Sequence, residues 1–347
     1  PRLSRDGAAL RDPNVNDLLS WGIGNVFDMD LTDSLHIKSI TAYRTYEGQF
    51  GSSQASLPVP VQEAYQETRH RQFSQELQLS GRLFENKLDW ATGVFYIDTR
   101  EVNNGRVQFE GFAIGGGAFV QDFLIDDPAT LENKSAFLHG VLHLTDRMNL
   151  TAGIRYSDET KTYTFSRLYS FFVFGPGGPS FLQGTESKDD RWNPRIALDY
   201  NFSDDLLLYT SYATGFTAGG FNGRPFAPGD VFAYDPEDVT SYEVGFKSEL
   251  LGRTLRINGA LYYMDWEDRQ IGLGCMNQPG CPFPLTPFFQ SNGGDASIKG
   301  FELETEAHPT DAWLITAAVG YKDFQWEELS PFAAPLTLQS PDTGVPE

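Results

Sequence analysis

Cysteine is nearly absent: the 347 residues contain two, Cys275 and Cys281. Two thiols exclude a disulfide-dense scaffold and fall short of a four-ligand zinc site. They flank Met276-Asn277-Gln278-Pro279-Gly280, a Pro/Gly-containing loop, and are expected to form a loop disulfide in an oxidising compartment. Positive charge is also scarce. Lys and Arg total 26 against 47 Asp and Glu, a net charge of −21, which excludes nucleic acid as a partner because phosphates require a basic surface. No apolar run approaches the length of about 18 residues that a membrane helix needs. A mean hydropathy of −0.35 still suits a membrane β-barrel, in which only alternate strand residues meet lipid.

Signatures of catalysis are missing as well. There is no G-x-x-x-x-G-K-[ST] and no G-x-S-x-G. His139 and His143 would share a helical face, but Leu138 to Leu144 alternates as a strand. That places the two rings roughly 13 Å apart, too far for one metal ion. Carboxylate pairs such as Asp189/Asp190 and Glu327/Glu328 read as solvated charge rather than as a general acid and base. Gly115-Gly116-Gly117 and Gly175-Pro176-Gly177-Gly178 read as loop tips. Neither an enzyme nor a metal site is expected. Pro1-Arg2-Leu3-Ser4 is not the start of a signal peptide, and no Pro- or Ser-rich linker divides the chain, so residues 1–347 read as one domain.

Two-residue alternation is the dominant signal. Phe73, Leu77 and Leu79 oppose Gln72, Ser74, Glu76 and Gln78. Leu255, Ile257 and Leu261 oppose Arg256, Asn258 and Ala260. Phe301 and Leu303 oppose Glu302 and Glu304. A helix, with a period near 3.6, would scramble these sets. Twelve strands are predicted, at 20–30, 35–50, 69–81, 88–102, 134–145, 148–165, 188–201, 206–217, 239–250, 254–271, 298–307 and 312–326. Their connections alternate between short turns and long segments at 51–68, 103–133, 166–187, 218–238 and 272–297. Long strands with alternating short and long connections describe an antiparallel up-and-down transmembrane barrel. Tyr43, Tyr96, Tyr156, Tyr212, Tyr263 and Tyr321 cluster toward the long loops, and Trp90, Trp192 and Trp313 toward the short turns, as in two interfacial girdles.

Five segments, in order, resemble TonB-dependent outer-membrane receptors. They are Ile40-Thr41-Ala42-Tyr43-Arg44, Phe73 to Gly81 with Leu88 to Tyr96, Leu206 to Asn222, Tyr242-Glu243-Val244-Gly245-Phe246-Lys247, and Gly300-Phe301-Glu302-Leu303-Glu304. The resemblance implies an outer-membrane, siderophore-receptor-like barrel of 22 strands around a plug. Twelve strands would then be part of it, with the plug and the closing strands absent from this chain. It also implies import of a scarce nutrient, most often a ferric siderophore, powered by the TonB complex acting through the plug. A glycan or another bulky ligand, a passive pore, and a soluble β-sandwich binding module are the alternatives. Candidate ligand contacts are the cations Arg44, Arg100, Arg106, Arg167 and Arg224, which suit an anionic chelate, and the loop aromatics Phe112, Phe171, Phe172 and Tyr234.

Overall fold

The computed structural model describes residues 15–53, 62–114, 117–173, 175–176, 180–223, 225, 228–273, 289–310, 312–331 and 333. Twelve long strands form one antiparallel sheet in chain order. They are β1 (Asn16–Thr32), β2 (Leu35–Ser53), β3 (Gln62–Leu83), β4 (Leu88–Ile114), β5 (Gly117–Thr145), β6 (Met148–Val173), β8 (Phe181–Ser203), β9 (Leu206–Thr217), β12 (Glu237–Leu250), β13 (Leu255–Glu267), β16 (Gly294–Thr310) and β17 (Trp313–Leu329). Five short strands complete the set. β7 (Gly175–Pro176) adds to β6; β10 (Gly220–Phe221) pairs with β11 (Ala233–Tyr234); β14 (Gln270–Leu273) pairs with β15 (Phe289–Asn292). Among the described residues no helix is long and apolar enough to cross a membrane.

The two faces of the sheet differ as the alternation requires. Register places Leu77 opposite Val94, Val94 opposite Ala136, Leu138 opposite Ile154, and Ile196 opposite Tyr212. Leu77, Val94, Leu138, Ile154, Ile196, Val244, Leu261 and Val319 are all exposed. Among the described residues no second sheet covers this apolar face, which argues against the soluble β-sandwich alternative. Such a face is stable only against lipid. From the short turns to the level of Tyr43, Tyr96 and Tyr156, most charged and amide side chains, among them Lys38, Glu76, Gln78, Asp89 and Glu243, lie on the opposite face, which lines the lumen.

An aromatic belt crosses the lipid face at one level. Trp21 lies 5.6 Å from Tyr43, Phe73 6.4 Å from Tyr96, Tyr156 4.8 Å from Trp192, Tyr212 5.3 Å from Tyr242, and Phe301 6.1 Å from Tyr321. Trp192 therefore belongs to the belt nearest the long loops rather than to the girdle at the short turns. Its register partner Tyr156 fixes that level.

Strands outrun the sequence expectation chiefly beyond this belt, and by only two or three residues at the short turns. Residues 103–133, expected as a loop, are mostly the outer parts of β4 and β5. Pairs from Asn103↔Asp127 to Gln108↔Asp122 extend the ladder there. Backbone pairing continues because it needs no lipid, whereas apolar alternation stops where the lipid does, so no periodicity marks the extension. In the other direction, the expected strand 254–271 breaks at Asp268, whose φ of 52° turns the chain out of the sheet. Gln270–Leu273 then pairs with β15 instead.

The sheet is open. β1 and β17 end its strand order unpaired with each other, and every residue of β1 is exposed. Apolar burial is concentrated among the outer loops, where Leu273, Phe289 and Ala333 pack with Phe232, Ile271 and Leu329.

Candidate functional site

Above the aromatic belt, the connection from β9 to β12 folds down over the lumen face of β6 and β8. Alternation along β6 directs Lys161, Tyr163, Phe165 and Arg167 to that face, and each meets the connection or what holds it. Lys161 Nζ donates to Gly219 O at 2.8 Å and pairs with Glu159 at 3.0 Å. Gly219 N donates to Asp189 Oδ2 on β8 at 3.1 Å. Phe221 meets Tyr163 edge-on at 6.4 Å, and Tyr163 stacks on the fully buried Phe165 at 4.2 Å. Gly219 and Gly220 permit this approach. A Cβ on Gly219 would lie 2.5 Å from Tyr234 O, and the Tyr234 ring covers Gly220.

Arg167 anchors the arrangement. Its Nη1 donates to both carboxylate oxygens of Asp127, at 2.7 and 2.8 Å, and its Nε donates to Pro225 O at 3.2 Å. Phe123 and Phe165 flank the guanidinium at 5.9 and 5.7 Å. Asp127 and Arg167 are 2 % and 4 % exposed, so the pair is dry. Burial pushes the Asp127 carboxyl above its ordinary range, against the opposing pull of Arg167 and the Ser166 amide. Burial, reinforced by the Asp127 charge, pushes the Tyr163 phenol up to about 12.

A second seam joins this connection to the one between β13 and β16. Asn292 Nδ2 donates to Asp235 O at 2.9 Å, and Asp235 N donates to Asn292 Oδ1 at 2.8 Å. Gln270 Nε2 donates to Ala218 O and Asp235 O, both at 3.2 Å. The covering segment is thus held from the lumen wall on one side and from a neighbouring loop on the other.

The residues expected to meet a ligand do not converge. Arg167 is buried under the covering segment. Arg106 is 14 % exposed and pairs bidentately with Asp122, Nε to Oδ1 at 2.7 Å and Nη2 to Oδ2 at 2.6 Å. Arg100 lies on the outward face beside Asp98, at 3.3 Å. Arg44 is exposed on the lumen face with no ion pair among the described residues. Tyr234 is half-buried within the covering segment, its ring over Gly220, and burial raises its phenol. Phe112, Phe171 and Phe172 sit on the outer ends of β4 and β6, with their side chains outside the described ones. Arg224, Cys275 and Cys281 lie outside the described residues. His143, one of the histidine pair His139 and His143, bridges Asn149 and Asp89 at 2.7 and 2.9 Å near a short turn.

Sequence reasoning missed Asp127, Lys161 and Asn292, and it takes Asp189, which accepts from Gly219 N, for solvated charge. Asp127 fell in a stretch read as loop. Its partner is 40 positions away and is brought close only by the register of the long hairpin.

Comparison with known proteins agrees with this architecture. Residues 2–344 match the family described as TonB dependent receptor-like, beta-barrel. The pesticin receptor of Yersinia pestis is 29% identical over 185 residues, covering 53% of this chain and 25% of that protein. The ferrioxamine B receptor of Salmonella typhimurium is 28% identical over 137 residues, covering 40% of this chain and 17% of that one. Among solved structures, the ferric yersiniabactin uptake receptor of Yersinia pestis superposes with a TM-score of 0.66 at 22% identity, over 89% of this chain and 43% of that chain. A siderophore receptor of Acinetobacter baumannii superposes with a TM-score of 0.64 at 16% identity, over 90% of this chain and 47% of that chain. The chain therefore spans about a quarter or less of these curated relatives, and under half of these two solved chains.

Proposed function

Because the chain belongs to the TonB-dependent receptor-like β-barrel family, we propose that the protein containing it imports a ferric siderophore, with energy delivered from the inner membrane through TonB. The chain is an outer-membrane β-barrel segment. The observation that supports the cargo class is the agreement of three relatives: one is named a ferrioxamine B receptor, one a ferric yersiniabactin uptake receptor and one a siderophore receptor.

The geometry supports capture rather than free diffusion. The covering segment hydrogen-bonds and packs against the lumen wall, and a barrel of the size the family resemblance implies is plugged rather than open. Cargo contacts are proposed for Arg44 and Tyr234 and, at the outer strand ends and loop, for Phe112, Phe171, Phe172 and Arg224. Arg167 holds the segment in place. Arg100 and Arg106 remain with their carboxylate partners. The net charge of −21 repels an anionic chelate at a distance, so short-range donors must supply the affinity. The TonB contact is proposed to lie on the plug that the family resemblance implies.

The test is uptake of ⁵⁵Fe-labelled ferric siderophores by iron-starved cells carrying the full-length receptor. Uptake of at least one chelate should fall to background when either the receptor or TonB is deleted. Uptake that persists without TonB would indicate a pore. Loss of glycan uptake with unchanged iron uptake would assign the barrel to a different cargo.

A further inference from the structure

Where β13 leaves the sheet, one arginine is enclosed by aromatic rings. The Arg269 guanidinium lies 4.7 Å from the Trp266 ring, 4.7 Å from the Phe324 ring and 5.7 Å from the Trp326 ring. Trp266 is on β13. Phe324 and Trp326 are on β17, two strands away, and meet each other edge-on at 5.4 Å. Register directs all three to the lumen face. Trp266 pairs with Ala296 on β16, and Ala296 pairs with Trp326. Ala296 is fully buried and small enough to let the rings approach across β16.

The backbone of Arg269 is fixed as firmly as its side chain. Its N–H donates to Gly294 O at 2.8 Å, and its own carbonyl accepts from Gly293 N at 2.7 Å. Gly294 has φ of 120°, a conformation open to glycine, and a Cβ there would strike Glu328 O. The turn that presents Arg269 is therefore specified at several positions.

Arg269 has no ion pair or side-chain hydrogen bond among the described residues, in a chain of net charge −21. Arg100, Arg106, Arg191 and Arg256 pair with carboxylates; Arg44, Arg71, Arg147, Arg155 and Arg195, like Arg269, have no ion pair among the described residues, but Arg269 alone of these is held by three aromatic rings. Aromatic faces satisfy the charge of a guanidinium but leave its in-plane N–H donors unused. Held between rings at these distances, the guanidinium keeps its charge and its N–H donors unpaired among the described residues, which is what recognition of an oxyanion requires.

We propose that Arg269, clamped by Trp266, Phe324 and Trp326, is an anion-docking site on the outer lumen face, which takes a carboxylate or catecholate oxygen pair of the arriving ferric chelate. The proposal rests on the import reading and names a recognition point within it. Trp266 and Phe324 position the guanidinium; Arg269 makes the contact.

Purified full-length receptor in detergent would be titrated with ferric citrate, a ferric catecholate and ferrioxamine B, with quenching of tryptophan fluorescence as the readout. Wild-type protein and the R269Q, R269K and W266L variants are compared. Folding of each is checked by the heat-dependent shift in gel mobility. For whichever anionic chelate wild type binds, R269Q should weaken binding about 10- to 100-fold, the loss of a charge-assisted bidentate contact. R269K, which keeps the charge but not the fork, should weaken it about 10-fold. W266L should weaken it too, with Arg269 intact. The cationic ferrioxamine B complex, if bound, should be unaffected. Equal affinity of wild type and folded R269K for the anionic chelate would overturn the site while leaving import standing. Absence of binding to any of the three by wild type, with unchanged ⁵⁵Fe uptake on receptor deletion, would remove the import reading itself. If R269Q does not fold, R269K decides.

Discussion

Replacing Arg167 by methionine in the full-length receptor should weaken the outer end of the barrel by about 3–5 kcal/mol, the cost of leaving a buried charge without its partner. Asp127 would stay behind, 2 % exposed, with only the Ser166 amide to satisfy it. The covering segment would lose its Pro225 anchor as well. Hydrogen exchange should show the effect locally. Amides in 218–223 and in the outer parts of β5 and β6 should exchange about a hundredfold faster or more, while strands below the aromatic belt keep their protection. The double variant D127N/R167M should recover most of the loss, because an ion pair replaced as a unit leaves no charge stranded. The sign with pH is set by the Asp127 carboxyl. Burial already raises it, and removing Arg167 removes an opposing pull. A group raised on folding stabilises the fold at low pH, and that contribution fades as pH climbs through the raised value. The R167M penalty should therefore shrink on acidification from neutral pH toward 5. An equal penalty at both pH values, or uniform loosening of the whole barrel, would contradict the assigned role.

The lipid face gives the second large effect. Leu198 lies between the belt residue Trp192 and the short turn after Ser203, and it faces outward, 37 % exposed. Leu198→Arg should destabilise the folded receptor in bilayers by about 2–4 kcal/mol, the cost of a cation near the midplane of a barrel's lipid face. Ala197→Arg, one residue away on the lumen face, should cost under about 1 kcal/mol. The two differ little in chain position or β-propensity, so their difference isolates the solvent that each face meets. Equilibrium unfolding of both variants in lipid vesicles measures it. Comparable losses would mean that the two faces have been misassigned.

These expectations show which parts of the molecule were legible in sequence. All twelve long strands could be read, because lipid on one side and polar lumen on the other impose a period of two wherever the bilayer runs. The reading failed where that constraint ends. Asn103, Asn104, Gly105 and Arg106 carry no apolar alternation, yet they pair with β5 through an unbroken ladder. Distance from a turn is a poor guide to depth: Trp192, expected at the short-turn girdle, sits at the level of its register partner Tyr156. The candidate site was only partly legible for a different reason. Arg167 could be picked out as a cation near a long loop, but its neutralisation by Asp127 depends on hairpin register. In sequence Arg269 is only the tail of the expected strand 254–271. Its cage is assembled from Trp266, Phe324 and Trp326, residues that sequence separation hides and that β16 brings together.

The central claim is that each strand presents one face to lipid and the other to a polar lumen. It is tested most directly by spin labels placed singly along β13 of the full-length receptor in bilayers, with Cys275 and Cys281 replaced by serine. Labels at Ile257, Leu261 and Tyr263 should be accessible to oxygen, which concentrates in lipid. Labels at Arg256, Asn258 and Ala260 should be accessible to a water-soluble nickel chelate. The two profiles should alternate out of phase with a period of two. A flat profile, or nickel access at both sets of positions, would contradict the account.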